Sequence, residues 1–543
     1  MLEDALSGRT QPRPSGTETA MASKNEKIAA ALAERIKGPV FCDEKTLNRF
    51  ATDWSIYYIP PLAVATPQDT EDIVALVKFA REEGVPITPR GGGTSTSGSS
   101  LGRGIVLAFS KTGPMDSILD FNENGDGPLV TVEPALRHDK LQAYLQERGW
   151  FLPSDPTSGP ISLLGGNVAA KASGPHALKH GSIDRYVKHL KFVTVNGDVV
   201  DTADPSSIPQ DLLDGVASLR QDIDAGGAMR EKLEARKDLK TASGYNVFPF
   251  IRDASPGETI AQLIVGSVGT LGLVTETTLG CVPFVPGKAT TLLYFKDLHE
   301  AGDAVQHIRD MGVAAIEVMN SNALELVRER NPGLPLPADS CHTLLVEYEG
   351  ENLQDQISDV EQVLKGQGYG LAAPFATVKD EAEQEQVWKA RKSLLPVLRN
   401  YKSGYKALSV VNDVGVEPKH LAAFIKDVEA IFDRFGLVAP IYGHAGSGNL
   451  HLRPLFDVSR EDLPDLISRV ADEVYKAVVG YGGTITAEHG MGRSRAPFLE
   501  REWGEALTGF MRKIKTLFDA DDLLNPDAMF TNRGFTEDLA PLT

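Results

Sequence analysis

The sequence contains few cysteines, and their positions exclude several kinds of metal centre. Its 543 residues include only three, Cys42, Cys281 and Cys341. They form no Cys-x-x-Cys pair, so the sequence encodes neither an iron–sulfur cluster nor a four-thiolate zinc site. Three isolated thiols are typical of a protein from a reducing compartment.

Long apolar runs and an excess of basic residues are also missing. No apolar stretch reaches the length of a transmembrane helix, and the opening residues carry Glu3 and Asp4 without the apolar core of a signal peptide. The 55 basic and 74 acidic residues give a net charge of −19, which argues against nucleic-acid binding. We expect a cytoplasmic protein, with peripheral contact to a membrane left open.

The order of predicted elements indicates an α+β fold. A chain of 543 residues exceeds the size of one core, so we expect two or three domains. Strand-like segments dominate up to residue 285, and a strand–helix–strand rhythm follows before a C-terminal helical segment. The chain is therefore divided into a disordered tail over residues 1–23, a first domain over 24–285 and a second over 286–543.

One helix in the first domain has clear end signals. Apolar residues of "TEDIVALVKFA" recur at helical spacing, Thr66 and Pro67 precede them, and Gly84 follows. We expect Thr66 to cap the first turn and Gly84 to end the helix.

A glycine-rich loop, RGGGTS over residues 90–95, follows the predicted strand "VPITP". Three consecutive glycines let the backbone approach a ligand closely and turn its N–H groups toward phosphate oxygens. The loop matches neither the Walker A motif nor the GxGxxG pattern, and a plain flexible turn is the competing interpretation. Two further segments rich in small residues, 152–181 and 266–275, favour several backbones closing around one dinucleotide.

Two histidines, His444 and His451, flank the turn "AGSGN", and Glu488 lies farther along the chain. Their spacing places the two side chains two turns apart on a helix or on opposite faces of a strand, so neither element lets both bind one ion. The glycine-containing turn can instead fold the chain back and bring them together. Two imidazoles and one carboxylate then suit Zn²⁺, Fe²⁺ or Mn²⁺. The competing interpretation is a pair of core histidines with satisfied hydrogen bonds.

Five segments, taken in order, resemble the motifs of one flavoprotein family. They are RGGGTS, GGN…SG, GSVGTLG, GHAGSGNLH and EHG, and the resemblance covers residue 53 to the C-terminus. The sequence is similar to the FAD-dependent 2-hydroxy-acid dehydrogenases of the vanillyl-alcohol-oxidase type, which include D-lactate, glycolate and D-2-hydroxyglutarate dehydrogenases. This implies a two-part FAD-binding domain over residues 24–285, then an α+β cap domain whose C-terminal helical segment returns to the flavin.

The resemblance also implies which residues hold the flavin. The RGGGTS loop would cradle the pyrophosphate, and the two later segments would line the flavin and the adenosine. Val268 departs from the family pattern, which usually has glutamate at this position. The implied cofactor-binding residues are Arg90, Gly91, Gly92, Gly93, Thr94, Ser95, Gly98, Pro153, Asp155, Gly165, Gly166, Asn167, Ser173, Gly174, Gly181, Gly269, Thr270, Gly272, Val274 and Asn525.

In metal-dependent members of the family, the GHxGxGNLH and EHG motifs supply the metal ligands. The matching positions are His444, His451 and Glu488, and zinc is the expected metal. His489, next to one of these ligands, would be the catalytic base that takes the proton of the substrate hydroxyl.

A substrate carboxylate needs a cation. Arg391 matches the family's W-x-x-R segment, and its guanidinium can bind a carboxylate through two hydrogen bonds. It is therefore the first candidate for this role and is assigned, with His489, to the catalytic residues. Lys406, Arg453 and Arg493 are further candidates, and Lys406 with Arg453 would favour a substrate with a second carboxylate. Lys392 and Lys402 are interpreted as part of a solvated helix face.

We expect an FAD-dependent dehydrogenase that oxidises a D-2-hydroxy acid, D-lactate before others, to the 2-oxo acid by hydride transfer to flavin. D-2-Hydroxyglutarate dehydrogenase and glycolate oxidase are alternatives within the family. A metallohydrolase is an alternative of another class, although it leaves the glycine-rich segments without a role. A non-catalytic flavoprotein subunit is a third, which the intact His489 disfavours.

The expected partners are a small 2-hydroxy acid and a separate electron acceptor. Because the cysteines form no iron–sulfur motif, electrons should leave to a quinone, a cytochrome or an electron-transfer protein. A homodimer is left open.

Thr94 leads to a prediction about how the flavin is held. Family members that link FAD covalently to this loop use a histidine, and a threonine side chain cannot form that bond. We expect heat or acid to release the flavin of the purified protein into the supernatant, where its absorbance measures it. Flavin that stays with the denatured polypeptide would contradict this.

Overall fold

The computed structural model describes residues 16–110, 112–123, 127–331, 336–337, 341–399 and 401–541. It confirms a mixed α+β fold: among these residues, a four-stranded, a five-stranded and a two-stranded sheet lie before residue 285, and a seven-stranded and a two-stranded sheet lie after it. Residues 1–15 of the expected disordered tail lie outside the described residues. A helix, Gly16–Ala33, begins inside that expected tail.

The first sheet leads directly into the glycine-rich loop. In spatial order its strands are Val40–Phe41, Ala63–Ala65, Ile105–Ala108 and Ile87–Arg90. The last three run parallel, and the glycine-rich loop begins where Ile87–Arg90 ends. The loop therefore lies at the carboxyl edge of the parallel strands, where ligands of such sheets commonly bind.

The helix Thr70–Glu83 packs against this sheet, and its N-terminus corrects one sequence-based expectation. Asp69, and not Thr66, is the capping residue, because its side chain accepts the N–H of Asp72. Gly84 ends the helix in the left-handed conformation, as expected.

The second sheet is antiparallel and completes the first domain. Its strands, in spatial order, are Ile118–Asn122, Leu129–Val132, Leu273–Gly280, Val187–Val193 and Val199–Asp201. A short pair, Trp150–Phe151 and Val282–Pro283, stands beside it. The other helices of this domain are Glu44–Phe50, His138–Gln146, Leu164–Ala170, Ala177–His180, Gln210–Asp224, Ala228–Arg236 and Pro256–Ile264.

The cap domain has a seven-stranded antiparallel sheet covered by helices. Its strands, in spatial order, are Leu371–Val378, Lys288–Phe295, His342–Glu349, Ala315–Met319, Ile441–His444, Asn449–Leu452 and Val414–Gly415. A separate pair joins Tyr405–Ala407 to Leu455–Asp457. The helices are Leu298–Ile308, Ser321–Arg330, Leu353–Gln367, Glu381–Lys392, Leu394–Arg399, Leu421–Phe435 and Leu463–Gly480.

The C-terminal helix, Leu499–Phe518, returns to the first domain. Trp503 and Phe510 are buried in the core of the second sheet, where the Phe510 ring meets Phe250 edge-on at 5.3 Å. Glu502, also buried, pairs with Arg236. Within the described residues, no helix is both long and apolar enough to span a bilayer.

Candidate active site

One cavity of about 530 Å³ brings the glycine-rich segments and the histidine–carboxylate segments together. It lies between the first domain and the cap. Because segments far apart in sequence meet here, the cavity is the candidate active site. The sequence-predicted residues that line it are Gly91, Gly92, Gly93, Thr94, Ser95, Gly166, Asn167, Ser173, Gly174, Arg391, His444, His451, Arg453, Glu488 and His489.

The glycine-rich loop has the features that a phosphate cradle requires. Within the described residues, the N–H groups of Gly91 to Thr94 donate no hydrogen bond to protein atoms, although Gly93 is buried. Buried N–H groups need acceptors, and phosphate oxygens can supply them. Beside the loop, a Cβ on Gly166 would enter open space, whereas a Cβ on Gly92 would lie 2.4 Å from the Ile161 carbonyl oxygen. The loop and this wall of the cavity therefore fit FAD.

Other residues expected to bind the cofactor lie outside the cavity lining, and several pack beneath it. A Cβ on Gly269 would lie 2.2 Å from Pro89, and one on Gly272 would lie 2.5 Å from the Phe192 ring, so close packing requires these glycines. Asn525 donates to the Val268 carbonyl oxygen at 2.7 Å. The residues outside the lining are Arg90, Gly98, Pro153, Asp155, Gly165, Gly181, Gly269, Thr270, Gly272, Val274 and Asn525.

Arg90 and Val268 support the cavity in different ways. The Arg90 guanidinium donates to the carbonyl oxygens of Phe50 and Thr52, at 3.3 and 2.9 Å, and underlies the loop instead of facing the cavity. Val268 lines the cavity with a φ of 48°, a left-handed conformation that is strained for a β-branched residue.

The two histidines lie on one hairpin, as the turn "AGSGN" predicted. Strands Ile441–His444 and Asn449–Leu452 pair so that His444 faces Asn449 and His451 faces Tyr442. His444 and His451 are therefore diagonal neighbours on one face of the sheet. Gly448 makes the reversal with a φ of 72°, and a Cβ there would lie 1.9 Å from the Val416 carbonyl oxygen.

The three predicted metal ligands converge. His444 Nε2 lies 3.1 Å from Glu488 Oε1, and His451 Nε2 lies 3.4 Å from both of these atoms. His444 Nδ1 faces Glu317 Oε1 at 2.5 Å, and His451 Nδ1 faces the Asn412 carbonyl oxygen at 3.0 Å. These outer contacts leave both Nε2 atoms free to point inward, which is the usual arrangement around histidine-bound metals. The residues therefore fit a divalent cation.

Glu488 is also held from behind. Its Oε2 accepts hydrogen bonds from Lys240 Nζ at 2.8 Å and from Ser173 Oγ at 3.0 Å. Burial alone would raise the pKa of the Glu488 carboxyl, but the charges of His444 and Lys240 hold it well below its usual value. The carboxylate therefore stays ionised and turns Oε1 toward the histidines.

Asp413 was not identified from the sequence and organises the loop that carries Glu488. Its buried Oδ2 accepts three consecutive backbone N–H groups, from Ala487, Glu488 and His489, at 2.8 to 3.0 Å. It also accepts the Thr486 hydroxyl at 2.7 Å. One possible ligand atom from each of Asp413, His451, Glu488 and His489 lies within 4.8 Å of the others. However, the three backbone N–H groups and the Thr486 hydroxyl already donate to Asp413 Oδ2. We therefore assign Asp413 to loop positioning.

His489 lines the cavity with 26% of its side chain exposed. Its ring stacks on His451, with centroids 5.2 Å apart and planes at 16°, and its Nε2 lies 3.6 Å from Glu488 Oε1. Burial lowers the pKa of the His489 imidazole, and the carboxylates of Asp413 and Glu488 oppose this shift only in part. The ring is therefore neutral near neutral pH and able to accept a proton.

Arg391 is buried in the cavity wall, where it supports the histidine cluster. Its NH2 pairs with Glu317 Oε2 at 2.6 Å, and its Cζ lies 4.7 Å from the Tyr442 ring centroid. Glu317, fully buried, joins Arg391 to His444. The charge of Arg391 is thus balanced inside the protein.

Arg453 and Lys406 differ sharply in position. Arg453 is 2% exposed, lines the cavity and donates from NH1 to the Ser409 hydroxyl at 2.9 Å. It forms no ion pair within the described part of the chain. Lys406 is on the strand Tyr405–Ala407 and outside the cavity lining, so its expected contact with substrate stays a prediction. Lys392, interpreted as solvated, is exposed as expected but stands at the cavity rim.

His176, another residue missed in the sequence, links the two domains beside the cavity. Its Nδ1 and Nε2 each lie 2.7 Å from a carboxylate, that of Asp155 and that of Glu347. Burial alone would lower the pKa of His176, but these carboxylates raise it to about 10. The charged ring therefore bridges the first domain and the cap.

Glu317 provides a test of the metal site, because its contact with His444 sets which nitrogen faces the other ligands. We expect Glu317→Gln to weaken divalent-metal binding by about 10- to 100-fold, the usual effect of losing such an outer partner. Equilibrium dialysis against metal buffers measures the affinity, and visible absorbance measures retained flavin.

Glu349→Gln is the matched control, since Glu349 is also a buried cap carboxylate but pairs with Lys179. We expect it to leave metal binding intact. Equal metal affinity in Glu317→Gln and in the unmodified protein would contradict the site, as would a failure of the unmodified protein to bind divalent metals.

Two domain families match the chain. Residues 61–203 match the family described as "FAD binding domain", and residues 286–529 match "FAD linked oxidases, C-terminal domain". The first match lies in the domain of the glycine-rich loop, the second lies in the cap, and both domains line the cavity.

Curated relatives extend over most of the chain. Glycolate oxidase subunit GlcD of Bacillus subtilis is 28% identical over 505 residues, which cover 91% of this chain and 95% of that protein. D-2-Hydroxyglutarate dehydrogenase of Pantoea ananatis is 28% identical over 89% of this chain and 49% of that protein, so this chain spans about half of that relative. The mitochondrial D-lactate dehydrogenase (cytochrome) of Arabidopsis thaliana is 28% identical over 86% of this chain and 73% of that protein.

A solved structure supports the same fold. Substrate-bound p-cresol methylhydroxylase superposes with a TM-score of 0.66 at 15% identity, over 95% of this chain and 97% of that one. The two domain families, the relatives and this fold agree with one another. The chain therefore combines the two domains of the FAD-linked oxidases, and over most of its length it is similar to FAD-dependent 2-hydroxy-acid dehydrogenases.

Proposed function

We propose that this protein is an FAD-linked dehydrogenase that oxidises a D-2-hydroxy acid to the 2-oxo acid, with D-lactate as the smallest chiral candidate. One observation carries the proposal: the glycine-rich loop and the histidine–carboxylate cluster line the same cavity. A metallohydrolase would use the cluster alone and would leave the glycine-rich wall without a role. The relatives named for glycolate, D-lactate and D-2-hydroxyglutarate support the substrate class.

The reaction removes a hydride from C2 and a proton from the hydroxyl, and the C–O single bond becomes a carbonyl. Bound FAD supplies the acceptor for the hydride and its two electrons. The chain must therefore provide a base for the proton, a cation for the carboxylate and a fixed position for the hydroxyl.

His489 is the proposed base. Its backbone N–H is fixed by Asp413 at 2.8 Å, and its ring is stacked on His451, so its orientation is set from two sides. Burial keeps the imidazole neutral near neutral pH, which leaves a lone pair for the hydroxyl proton.

His444, His451 and Glu488 are the proposed ligands of a divalent cation, zinc before iron or manganese. Such a cation supplies Lewis acidity to the hydroxyl oxygen, which makes its proton easier to remove. The protein's part is to hold three ligand atoms in place through Glu317, Asn412 and Lys240.

Arg453 is the proposed partner of the substrate carboxylate. It is a buried guanidinium on the cavity wall, and its Nε makes no hydrogen bond within the described residues. Arg391, the first candidate for this role in the sequence, is proposed instead to support the histidine cluster through its ion pair with Glu317. For the electron acceptor, the relative named as a cytochrome-linked enzyme favours a cytochrome over a quinone or an electron-transfer protein.

His489→Ala tests the proposed base. It should retain flavin and metal, since the proposed ligands and the glycine-rich loop are unchanged. Reduction of its flavin by substrate, followed by stopped-flow absorbance without oxygen, should slow by about 10²- to 10⁴-fold, the usual contribution of a positioned acid–base group. Reoxidation by a dye should hardly change, because that step does not use the substrate proton.

The unmodified enzyme should also show a pH dependence of known sign. A protonated His489 cannot accept a proton, so reduction should slow as the pH falls through its pKa, which lies below the ordinary 6.5. His299→Ala, at an exposed histidine of a cap helix, is the control. Wild-type flavin reduction in His489→Ala would exclude His489 as the base.

A further inference from the structure

A second cavity, of about 630 Å³, lies where the first domain meets the cap. Among the described residues, it shares no lining residue with the active-site cavity. The first domain forms most of its wall, and the cap contributes Arg309, Glu417, Pro418, Gly446 and Ser447. Cavities between domains are common ligand sites, so this one is a second candidate binding site.

The lining of the second cavity is rich in basic side chains, although the chain as a whole has a net charge of −19. Among its described residues, the acidic ones are Asp184, Asp238 and Glu417. The basic ones are Lys171, Arg185, Lys237, Lys240, Arg252 and Arg309. A local excess of positive charge in an acidic protein favours an anionic ligand.

Most ion pairs of these cations are weak or lie outside the cavity. Lys171 pairs with Asp184 of the lining at 3.3 Å. Three others pair with acidic side chains that stand outside the lining and are 40 to 84% exposed: Lys237 with Glu234, Arg252 with Glu258, and Arg309 with Asp310. Solvent screens such pairs, so these cations can still bind an anion in the cavity.

Arg185 and Arg309 are the best placed contacts for an anion. The Arg185 side chain forms no ion pair within the described part of the chain. It lies against Gly181, where the φ is 75° and a Cβ would lie 2.4 Å from Arg185 Nε. On the cap side, the buried Nε of Arg309 makes no hydrogen bond to described residues. Two guanidinium groups, one from each domain, can bind a phosphate group through paired hydrogen bonds.

Lys240 lies between the two cavities. It lines the second cavity, and its Nζ donates at 2.8 Å to Glu488, which lines the active-site cavity. The turn of the histidine hairpin also borders the second cavity, because Ser447 lines it and donates to the His444 carbonyl oxygen at 3.1 Å. An anion in the second cavity would therefore contact two supports of the active site.

We propose that the second cavity binds a phosphate group, free or on a small organic molecule, and that the bound phosphate draws Lys240 away from Glu488. Arg185 and Arg309 hold the phosphate, and Leu178 and Phe248 offer apolar surface to an organic substituent. Without the Lys240 contact, Glu488 is held less firmly and flavin reduction slows. This effect on the reaction rests on the proposed function, whereas phosphate binding does not.

Calorimetric titration of the FAD-loaded protein at constant ionic strength tests the site, with inorganic phosphate and phenyl phosphate as probes. We expect one phosphate per chain. Arg185→Ala and Arg309→Ala should each weaken binding by about tenfold or more, because each removes charge-assisted hydrogen bonds. Tighter binding of phenyl phosphate would identify an organic phosphate as the ligand, and equal binding of both probes would identify free phosphate.

Two further variants serve as controls. Lys188→Ala removes the charge of an exposed lysine that is close to Arg185 in sequence but outside the lining, and should leave binding unchanged. Arg453→Ala should also leave it unchanged, because Arg453 belongs to the other cavity. The proposal is overturned if phosphate does not bind, or if its binding is lost in Arg453→Ala and kept in Arg185→Ala and Arg309→Ala.

Anaerobic stopped-flow reduction of the flavin by D-lactate tests the link through Lys240. Saturating phosphate should lower the limiting rate and leave the half-saturating substrate concentration nearly unchanged, because it binds outside the substrate cavity. Arg185→Ala should abolish this effect. An unchanged limiting rate would overturn the link, and a rise in the half-saturating concentration alone would place the phosphate in the active site. A flavin that no 2-hydroxy acid reduces would instead reject the proposed function, while the titration would still test the phosphate site.

Discussion

The candidate site depends on one buried carboxylate. Asp413 is fully buried, and its Oδ2 accepts the N–H groups of three consecutive residues, the last two being Glu488 and His489. Burial alone would raise the pKa of Asp413, but its contacts with the His489 and His451 rings and the Thr486 hydrogen bond lower it to about 2. The carboxylate is therefore ionised, and charge-assisted hydrogen bonds of this kind are about twice as strong as neutral ones. One side chain thus fixes the backbone of a proposed ligand and of the proposed base.

The other contacts of the site come from both domains. Lys240 and Ser173, from the first domain, hold Glu488, while Glu317 and the hairpin of His444 belong to the cap. The cap contains the whole histidine–carboxylate cluster, and the first domain holds its carboxylate in position. His176 contributes to the same arrangement, because its contacts with Asp155 and Glu347 join the first domain to the cap beside the cavity.

The sequence predicted the elements that depend on local pattern. Glycine spacing and the turn "AGSGN" predicted the hairpin, because a chain reversal is the only local way to bring His444 and His451 together. Alternating strands and helices predicted the cap. For the helix Thr70–Glu83 the sequence predicted Thr66 as the N-cap, whereas the structure has Asp69. Both residue types cap helices, and their spacing alone does not choose between them.

What the sequence could not predict is long-range pairing. Asp413 lies 75 residues from Glu488 along the chain, and Glu317 lies 127 residues from His444, so no local pattern reveals either contact. Lys406 and Arg453 were equivalent candidates in the sequence, because both carry a positive charge. The structure shows that Arg453 lines the cavity, whereas Lys406 lies on a paired strand outside the lining. Glycines that pack beneath the flavin cradle, such as Gly272, have the same local signature as those that line it.

Replacing Asp413 tests the central claim most directly, because asparagine has the same shape but loses the charge and one acceptor. Asp413→Asn should keep its flavin, whose cradle is elsewhere, and its reduction by substrate should slow by about 10²-fold, the usual effect of misplacing reacting groups by about 1 Å. Thr486→Val removes only one of the donors to Asp413 and should have a smaller effect. An Asp413→Asn variant whose flavin is reduced at the wild-type rate would contradict the account.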